Sequence, residues 1–191
     1  MKKVGEIFDI ISGSPQIRIQ ETTDRAAPCY LFYGQNELES DLVAMDSVAE
    51  QKSIQTFDEV VTLNEGDVVF SLVSGQAAVV RQPHQGYLLT QNFVKFDLND
   101  QLDAKYWTYL LNEDRNIKKQ LQMGVQGSIV FRYTVKQIRE ITLPDIPSHE
   151  IQQAIGDVYC KQLHLQALKK QVADLETIAL LEKLKRINAH E

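Results

Sequence analysis

Residues 148–188 run without a proline or a cluster of β-branched residues, and this stretch constrains the chain more than any other. At 1.5 Å per residue, about forty helical residues make a rod of roughly 60 Å, longer than the last helix of a compact domain. Ser148 follows Pro147 and offers a hydroxyl to the free N–H groups of a first turn, where Glu150 suits the positive end of the helix. Gly156 is the weak position, at roughly 1 kcal/mol against Ala. Ile151, Val158, Leu165, Val172 and Ala179 recur every seven residues, and Ala154, Lys161, Leu168, Leu175 and Glu182 form the companion line. This is an a/d seam, apolar in the middle and weaker at its ends. After Leu175 the pattern shifts to Ile178, Leu181 and Leu184, as where the register changes or a second surface takes over. Such a rod must bury its stripe, either on its own domain or on a partner helix. The seam favours the partner: a homodimer through Ile151, Val158, Leu165, Leu168, Val172 and Leu175.

The full chain of 191 residues leaves room for one globular unit ahead of the rod. The expected division is therefore a domain over residues 1–147 and a helical arm over 148–191. The opening residues carry charges but no sustained apolar run, so neither a signal peptide nor a membrane span is expected, and the expected compartment is the cytoplasm. Cys29 and Cys160 stand far apart, and His164 one turn after Cys160 makes only an isolated pair. No disulfide framework or metal site is expected. His84, His149, His164 and His190 lack a nucleophile or acid partner that spacing establishes, and no glycine-rich phosphate loop occurs. The expectation is a chain with no catalytic site and no cofactor.

The net charge of −6 argues against indiscriminate nucleic-acid binding. The charge is uneven, however. Residues 37–67 hold nine acidic groups against one Lys, whereas residues 113–140 hold six basic groups against three acidic. An acidic protein with this distribution can present one basic face.

Along the chain, Val4, Ile7, Phe8 and Ile11 have helical spacing, which predicts a helix over residues 3–11 ended by Ser12-Gly13-Ser14-Pro15. Ile17 to Ile19 alternate. Residues 29–33 read as a short buried strand, and Gly34-Gln35-Asn36 as a turn. The acidic stretch then predicts an exposed loop with a weak strand near Ile54. A strand follows at residues 60–63, then residues 64–72 read as a turn running into a strongly apolar strand, with Ser74-Gly75-Gln76 turning the chain into a paired strand at 77–80. Residues 87–90 and 93–98 extend the sheet around Gln91-Asn92. Asp103 caps a helix with Tyr106, Trp107, Leu110 and Leu111, and a second helix carries Ile117, Leu121 and Met123 to a C-cap at Gly124. Thr134 and Gln137 make a capping box, and residues 141–144 form a last strand into the rod. The fold class is α+β, a mixed and mostly antiparallel sheet domain followed by a long C-terminal coiled-coil helix.

Four segments, in this order, resemble the DNA-specificity subunit of type I restriction–modification systems. They are Val4-Gly5-Glu6-Ile7-Phe8-Asp9-Ile10 with Ser12-Gly13-Ser14; Glu65-Gly66-Asp67-Val68-Val69-Phe70-Ser71; Gln91-Asn92 with the Lys105-Tyr106-Trp107-Thr108-Tyr109-Leu110-Leu111 helix; and Gly127-Ser128 leading through Ile138, Ile141 and Leu143-Pro144 to Glu150-Ile151-Gln152-Gln153-Ala154-Ile155. The resemblance implies a target recognition domain that reads half of a split DNA sequence, followed by a spacer helix. It implies one such unit where a full-length subunit has two, so that two copies related by a twofold axis would rebuild the arrangement. It also implies partners: double-stranded DNA, two methyltransferase subunits that carry S-adenosylmethionine, and a restriction subunit with the nuclease. The chain itself would supply no chemistry.

If the chain reads DNA, Arg and Lys serve phosphates and guanine edges, and Asn and Gln serve adenine edges. Arg18, Gln76, Arg81, Gln91, Asn92, Gln126, Ser128 and Arg132 have the residue type and the loop or strand-end position for this, with Lys118 and Lys119 as phosphate contacts. The alternative of another class is a coiled-coil adaptor with the same fold that reads no DNA; a third reading is an unrelated enzyme.

Overall fold

The computed structural model describes residues 2–46, 51–123 and 132–189. Along the chain come β1 (Asp9–Ser12), β2 (Cys29–Tyr33), α1 (Gln35–Val43), β3 (Ser53–Gln55), β4 (Val68–Ser71), β5 (Ala77–Val79), β6 (Leu88–Leu89), β7 (Phe93–Asp97), α2 (Ala104–Glu113), α3 (Arg115–Met123), α4 (Val135–Glu140) and α5 (His149–Asn188). Four strands make an antiparallel sheet in the order β1-β7-β4-β5, and three make a smaller sheet in the order β3-β2-β6, with β2 and β6 parallel.

Each of the four residues of β4 is buried. An apolar run of this kind belongs to a strand covered on both faces. Val68 and Phe70 point into a core shared with Phe8, Trp107, Leu111, Ile117 and Ile138, so α2, α3 and α4 cover that face. Val69 points into a second core with Tyr33, Leu38, Leu63, Leu89 and Phe93, built by α1 and the smaller sheet. Alternation along one strand thus sorts its side chains into two cores. Trp107 closes the first core, meeting Phe8 and Phe96 edge-on at ring distances of 5.4 and 5.5 Å.

Local chemistry sets the helix ends. Asp103 accepts from the Tyr106 N–H at 2.9 Å and starts α2. Asp114 ends α2 and starts α3, its Oδ1 accepting from the N–H groups of Asn116 and Ile117, each at 2.9 Å. Thr134 and Gln137 form the expected capping box of α4.

Several expectations need correction. Residues 3–11 are not a helix: a 3-10 turn at Val4–Glu6 leads into β1, which pairs with β7. A stretch so short gains little as an isolated helix, and the sheet edge offers it a ladder. Residues 16–18 are a 3-10 turn rather than alternating strand. The first part of the acidic stretch is α1, with Gly34 as its N-cap instead of a turn residue. Leu38 is buried and Leu42 half-buried, a one-turn spacing hidden among the charges. Residues 60–63 and 141–144 reach only single bridges, Thr62 to Leu88 and Lys3 to Thr142. Ser148 sits at the N-cap of α5, but its hydroxyl caps nothing.

The helix α5 spans 40 residues. Its first third packs on α2 along a face that the heptad reading overlooked. The buried Gln152 accepts from the Asp103 N–H at 2.9 Å and donates to the carbonyls of Gln101 and Pro147, each at 3.0 Å. Lys105 and Asp157 pair at 2.6 Å, which raises the lysine pKa and lowers that of the aspartate. His164 Nδ1 lies 2.8 Å from the Val43 carbonyl, so it ties α5 to the end of α1 instead of pairing with Cys160. The a/d seam lies on roughly the opposite side and is open; Val158 is 69% exposed. From residue 168 onward every described position is exposed. One helix therefore carries both stripes weighed from its sequence: one packed on its own domain, the other unpartnered.

Gly156 is not a weak spot but a contact. A Cβ there would lie 2.7 Å from the Tyr106 nitrogen, and a backbone atom cannot swing aside. Ala at this position gains about 1 kcal/mol of helix propensity. It loses about 1–3 kcal/mol to overpacking. Gly156→Ala should therefore lower the urea midpoint rather than raise it, and a raised midpoint would mean that α5 does not approach α2 this closely.

Candidate nucleic-acid interface

The Ser12-Gly13-Ser14 motif welds the start of the chain to the β6–β7 turn. Gly13 N–H donates to the Phe93 carbonyl at 3.1 Å, Ser14 N–H to the Leu89 carbonyl at 2.8 Å, and Gln91 N–H to the Ser14 carbonyl at 3.1 Å. A Cβ on Gly13 would lie 2.1 Å from the Thr90 carbonyl oxygen, so only glycine fits. This contact sets the Gln16–Arg18 turn next to Gln91 and Asn92.

A second close approach comes from the β4–β5 hairpin. Gly75 turns the chain at φ +71°, and a Cβ there would strike the Tyr133 ring at 2.5 Å. Tyr133 N–H donates to the Leu72 carbonyl at 2.8 Å. The segment just before α4 is thereby held against the hairpin, and Arg132 reaches the β6–β7 turn. Its Nη2 donates to Asn92 Oδ1 at 2.8 Å and to the Gln91 carbonyl at 3.2 Å.

Between these parts lies a cleft of about 650 Å³, lined by Gln16, Tyr33, Gln35, Asn36, Lys52, Ser71, Ser74, Thr90 and Asn92 among others. Its floor is buried hydroxyls and aromatic edges; its rim is mostly side-chain amides. Among the described residues, no side-chain hydrogen bond holds Gln16, Asn36 or Lys52. Gln35 Nε2 donates to Glu39 at 3.0 Å and to Gln76 Oε1 at 3.4 Å, which brings Gln76 to the same rim.

Of the residues expected from the sequence, Asn92 lines this cleft; Gln91, Arg132 and Gln76 flank it, and Arg18 is exposed two residues beyond Gln16. Lys118 and Lys119 stand apart on α3, and Lys118 pairs with Glu113 at 3.3 Å beside a smaller cavity. Gln126 and Ser128 lie outside the described residues. Gln16, Asn36 and Lys52 were missed. Gln16 and Asn36 sit next to turn signals, and Lys52 is the single cation of the acidic stretch, so each carried a readable signal.

Arg81 is engaged in the fold. Its Nε donates to Asp41 Oδ1 at 3.3 Å, and its Nη2 to Ser40 Oγ at 3.0 Å and the Met45 carbonyl at 3.1 Å. Asp41 is fully buried at its side chain and also takes the Tyr33 hydroxyl at 2.9 Å and His84 Nδ1 at 2.7 Å. Burial, with the Asp41 charge adding to it, holds the Tyr33 phenol well above its usual pKa, so Tyr33 remains a donor. The cluster pins α1 beside the cleft. Glu37, likewise buried, turns back to accept the Gly34 N–H at 2.9 Å.

Among the described residues no group of His, Cys, Asp and Glu is placed to hold a metal, and no helix is long and apolar enough to cross a membrane.

A family model described as the type I restriction modification DNA specificity domain matches residues 1–186, and the chain belongs to that family. In structure it is similar to the HsdS subunit from Thermoanaerobacter tengcongensis, with a TM-score of 0.60 at 19% identity over 96% of this chain and 41% of that one. It is similar also to a chain from work described as the structural basis underlying complex assembly and conformational transition of the type I R-M system, with a TM-score of 0.60 at 20% identity over 96% of this chain and 42% of that one. This chain thus spans under half the length of either. At these identities the likeness is one of fold. No curated protein matches in sequence.

Arg81→Ala should cost about 1–3 kcal/mol, because it strips charge-assisted bonds from a buried carboxylate. Urea unfolding checks this. An unchanged midpoint would show that Arg81 is free for other work.

Proposed function

We propose that this chain is a DNA-sequence-reading subunit, with residues 1–147 as the reader and residues 148–191 as the dimerisation and spacer arm. The observation that carries the reading is the cleft. Groove-reading amides and a few cations from six separate segments converge on one rim, on a domain that anchors a rod with an open apolar seam. Amides and guanidinium groups are the side chains that match base edges and phosphates. Family membership adds to this reading.

In this reading Gln16, Asn36, Gln76, Gln91 and Asn92 face base edges; Arg18, Lys52, Lys118 and Lys119 serve phosphates; and Arg81 is structural. A second copy pairs through Ile151, Val158, Leu165, Leu168, Val172 and Leu175. Each copy reads one half-site, so the preferred DNA is an interrupted palindrome whose spacing the rod sets. The chain brings no catalytic group and no cofactor, and methyltransferase subunits carry out the chemistry. The competing adaptor reading is favoured by the overall charge of −6 and by the few cations at the cleft.

Two measurements test this. Leu165→Asp with Val172→Asp should turn a dimer into a folded monomer in sedimentation; a wild-type monomer at tens of micromolar would overturn the pairing. The chain with its methyltransferase subunits should select a split palindrome from randomised DNA. Lys118→Ala should weaken all sequences alike and reduce the salt slope by about 1. Selection of no sequence would leave the adaptor.

A further inference from the structure

Asn92 is held at both ends of its short reach. Its carbonyl accepts the Leu72 N–H at 2.8 Å, and the Phe93 N–H closes the turn onto the Thr90 carbonyl at 3.0 Å. The backbone is therefore fixed by the end of β4. The side chain is fixed by Arg132, whose Nη2 donates to Oδ1 at 2.8 Å. The same nitrogen also holds the Gln91 carbonyl, so the guanidinium clasps the turn rather than one atom of it. Arg132 itself is anchored by its neighbour Tyr133, which is docked on the hairpin.

A free amide can present either end, because its oxygen and nitrogen exchange places by a half-turn of the last torsion. A charged donor on Oδ1 removes that choice, since a charge-assisted hydrogen bond is roughly twice as strong as a neutral one. The oxygen faces Arg132, and Nδ2 is left as the end that serves the cleft. Among the described residues nothing else takes its N–H groups.

We infer that Arg132 is a positioning residue that fixes the Asn92 amide so that it offers hydrogen-bond donors to DNA, and that this sets the base read at one position of each half-site. The inference rests on the DNA-reading function proposed above. Donors match the major-groove acceptors of guanine, adenine and thymine, whereas cytosine presents only its N4 donor. The position under Asn92 accordingly disfavours cytosine. This role differs from a direct guanine contact by Arg132, which its residue type alone suggests.

The test is selection from a randomised duplex pool by the full chain with its methyltransferase subunits, at two salt concentrations, with thermal unfolding as the check on folding. Arg132→Ala should relax one position per half-site, with about a tenfold or greater loss of discrimination there. It should leave the other positions and the salt slope unchanged. Arg132→Lys, which keeps a charged donor, should retain most of the preference. Asn92→Asp keeps an oxygen for Arg132 and turns an acceptor to the cleft, so the same position should swing toward cytosine. Arg132→Ala combined with Asn92→Ala should discriminate no worse there than Asn92→Ala alone. If Arg132→Ala weakens every sequence alike and flattens the salt slope, Arg132 is a phosphate contact and the inference is wrong. If the Asn92 variants select as wild type does, the inference is wrong while the function stands. If wild type selects nothing, both fall.

Discussion

Everything in this fold depends on β4 having no solvent face. A strand buried on both sides must be covered by two different sets of elements, and the chain supplies them from opposite ends of its sequence. The helices that follow the sheet cover one face and carry α5. Residues 29–63, with β6, cover the other and shape the cleft, while Val4, Phe8 and Ile10 join the first cover. The rod is rooted on the first cover through α2 and reaches the second at the end of α1, where His164 Nδ1 lies 2.8 Å from the Val43 carbonyl. A disturbance of Val69 would be felt at the cleft, and one of Phe70 at the root of the rod.

The outer strand of the four-stranded sheet shows how the layer is finished. β5 lies at an edge, where free backbone groups invite pairing with another chain. The buried Asn112 on α2 answers this. Its Oδ1 accepts the Ala77 N–H at 2.8 Å, and its Nδ2 donates to the Ala77 carbonyl at 2.9 Å, as a neighbouring strand would. One side chain closes the edge and fixes α2 across the sheet. Gln152 then repeats the device one layer out, satisfying three backbone groups at the start of α2 and the approach to α5. The buried Gln152 locates the root of the rod, and the Lys105–Asp157 pair adds to it at the surface.

The sequence was most legible where a single physical effect dominated. The runs that became β4 and β7 are apolar and short, and the α5 pattern is long enough for periodicity to speak; β2 formed as a strand, but with Cys29 exposed and residues 30–32 half-buried it is not the buried strand expected. It was least legible where two effects competed. Val4, Ile7, Phe8 and Ile11 have helical spacing, yet pairing with β7 won. The acidic stretch hid α1, because Glu37 and Asp41 turn inward, and the Arg81 and His84 partners of Asp41 lie some forty residues away in sequence, beyond any local pattern. For the same reason Arg81 read as a free cation. The cleft was half visible: Asn92, Gln91 and Arg132 stood out by type and turn position. Gln16, Asn36 and Lys52 join them only through the Gly13 contact and the placement of α1, which are tertiary facts.

Net charge looks like the main physical objection to the proposed DNA reading, and the structure changes its weight. The stretch over residues 37–67 is acidic by count, but its acids do not act as one field. Asp41 is buried against Arg81 and His84, Glu37 is spent on the cap of α1, and Asp67 pairs with Lys95 at 2.8 Å. Charges neutralised within a few ångströms contribute little beyond a Debye length of about 8 Å at physiological ionic strength. Asp58 is half-buried and accepts the Gln20 N–H at 2.7 Å, and the exposed Asp46 pairs with Arg81 at 3.2 Å, which leaves Glu39, Glu59 and Glu65 among the exposed acids of the stretch. A cleft rimmed by neutral amides also needs less phosphate attraction than a basic groove, provided that the rod and its partners hold it to the duplex. Its affinity would then come from two readers acting together at a fixed spacing, with each half-site too weak alone. Such a reader suits a low charge, because weak non-specific binding raises the ratio of specific to non-specific affinity on which recognition rests.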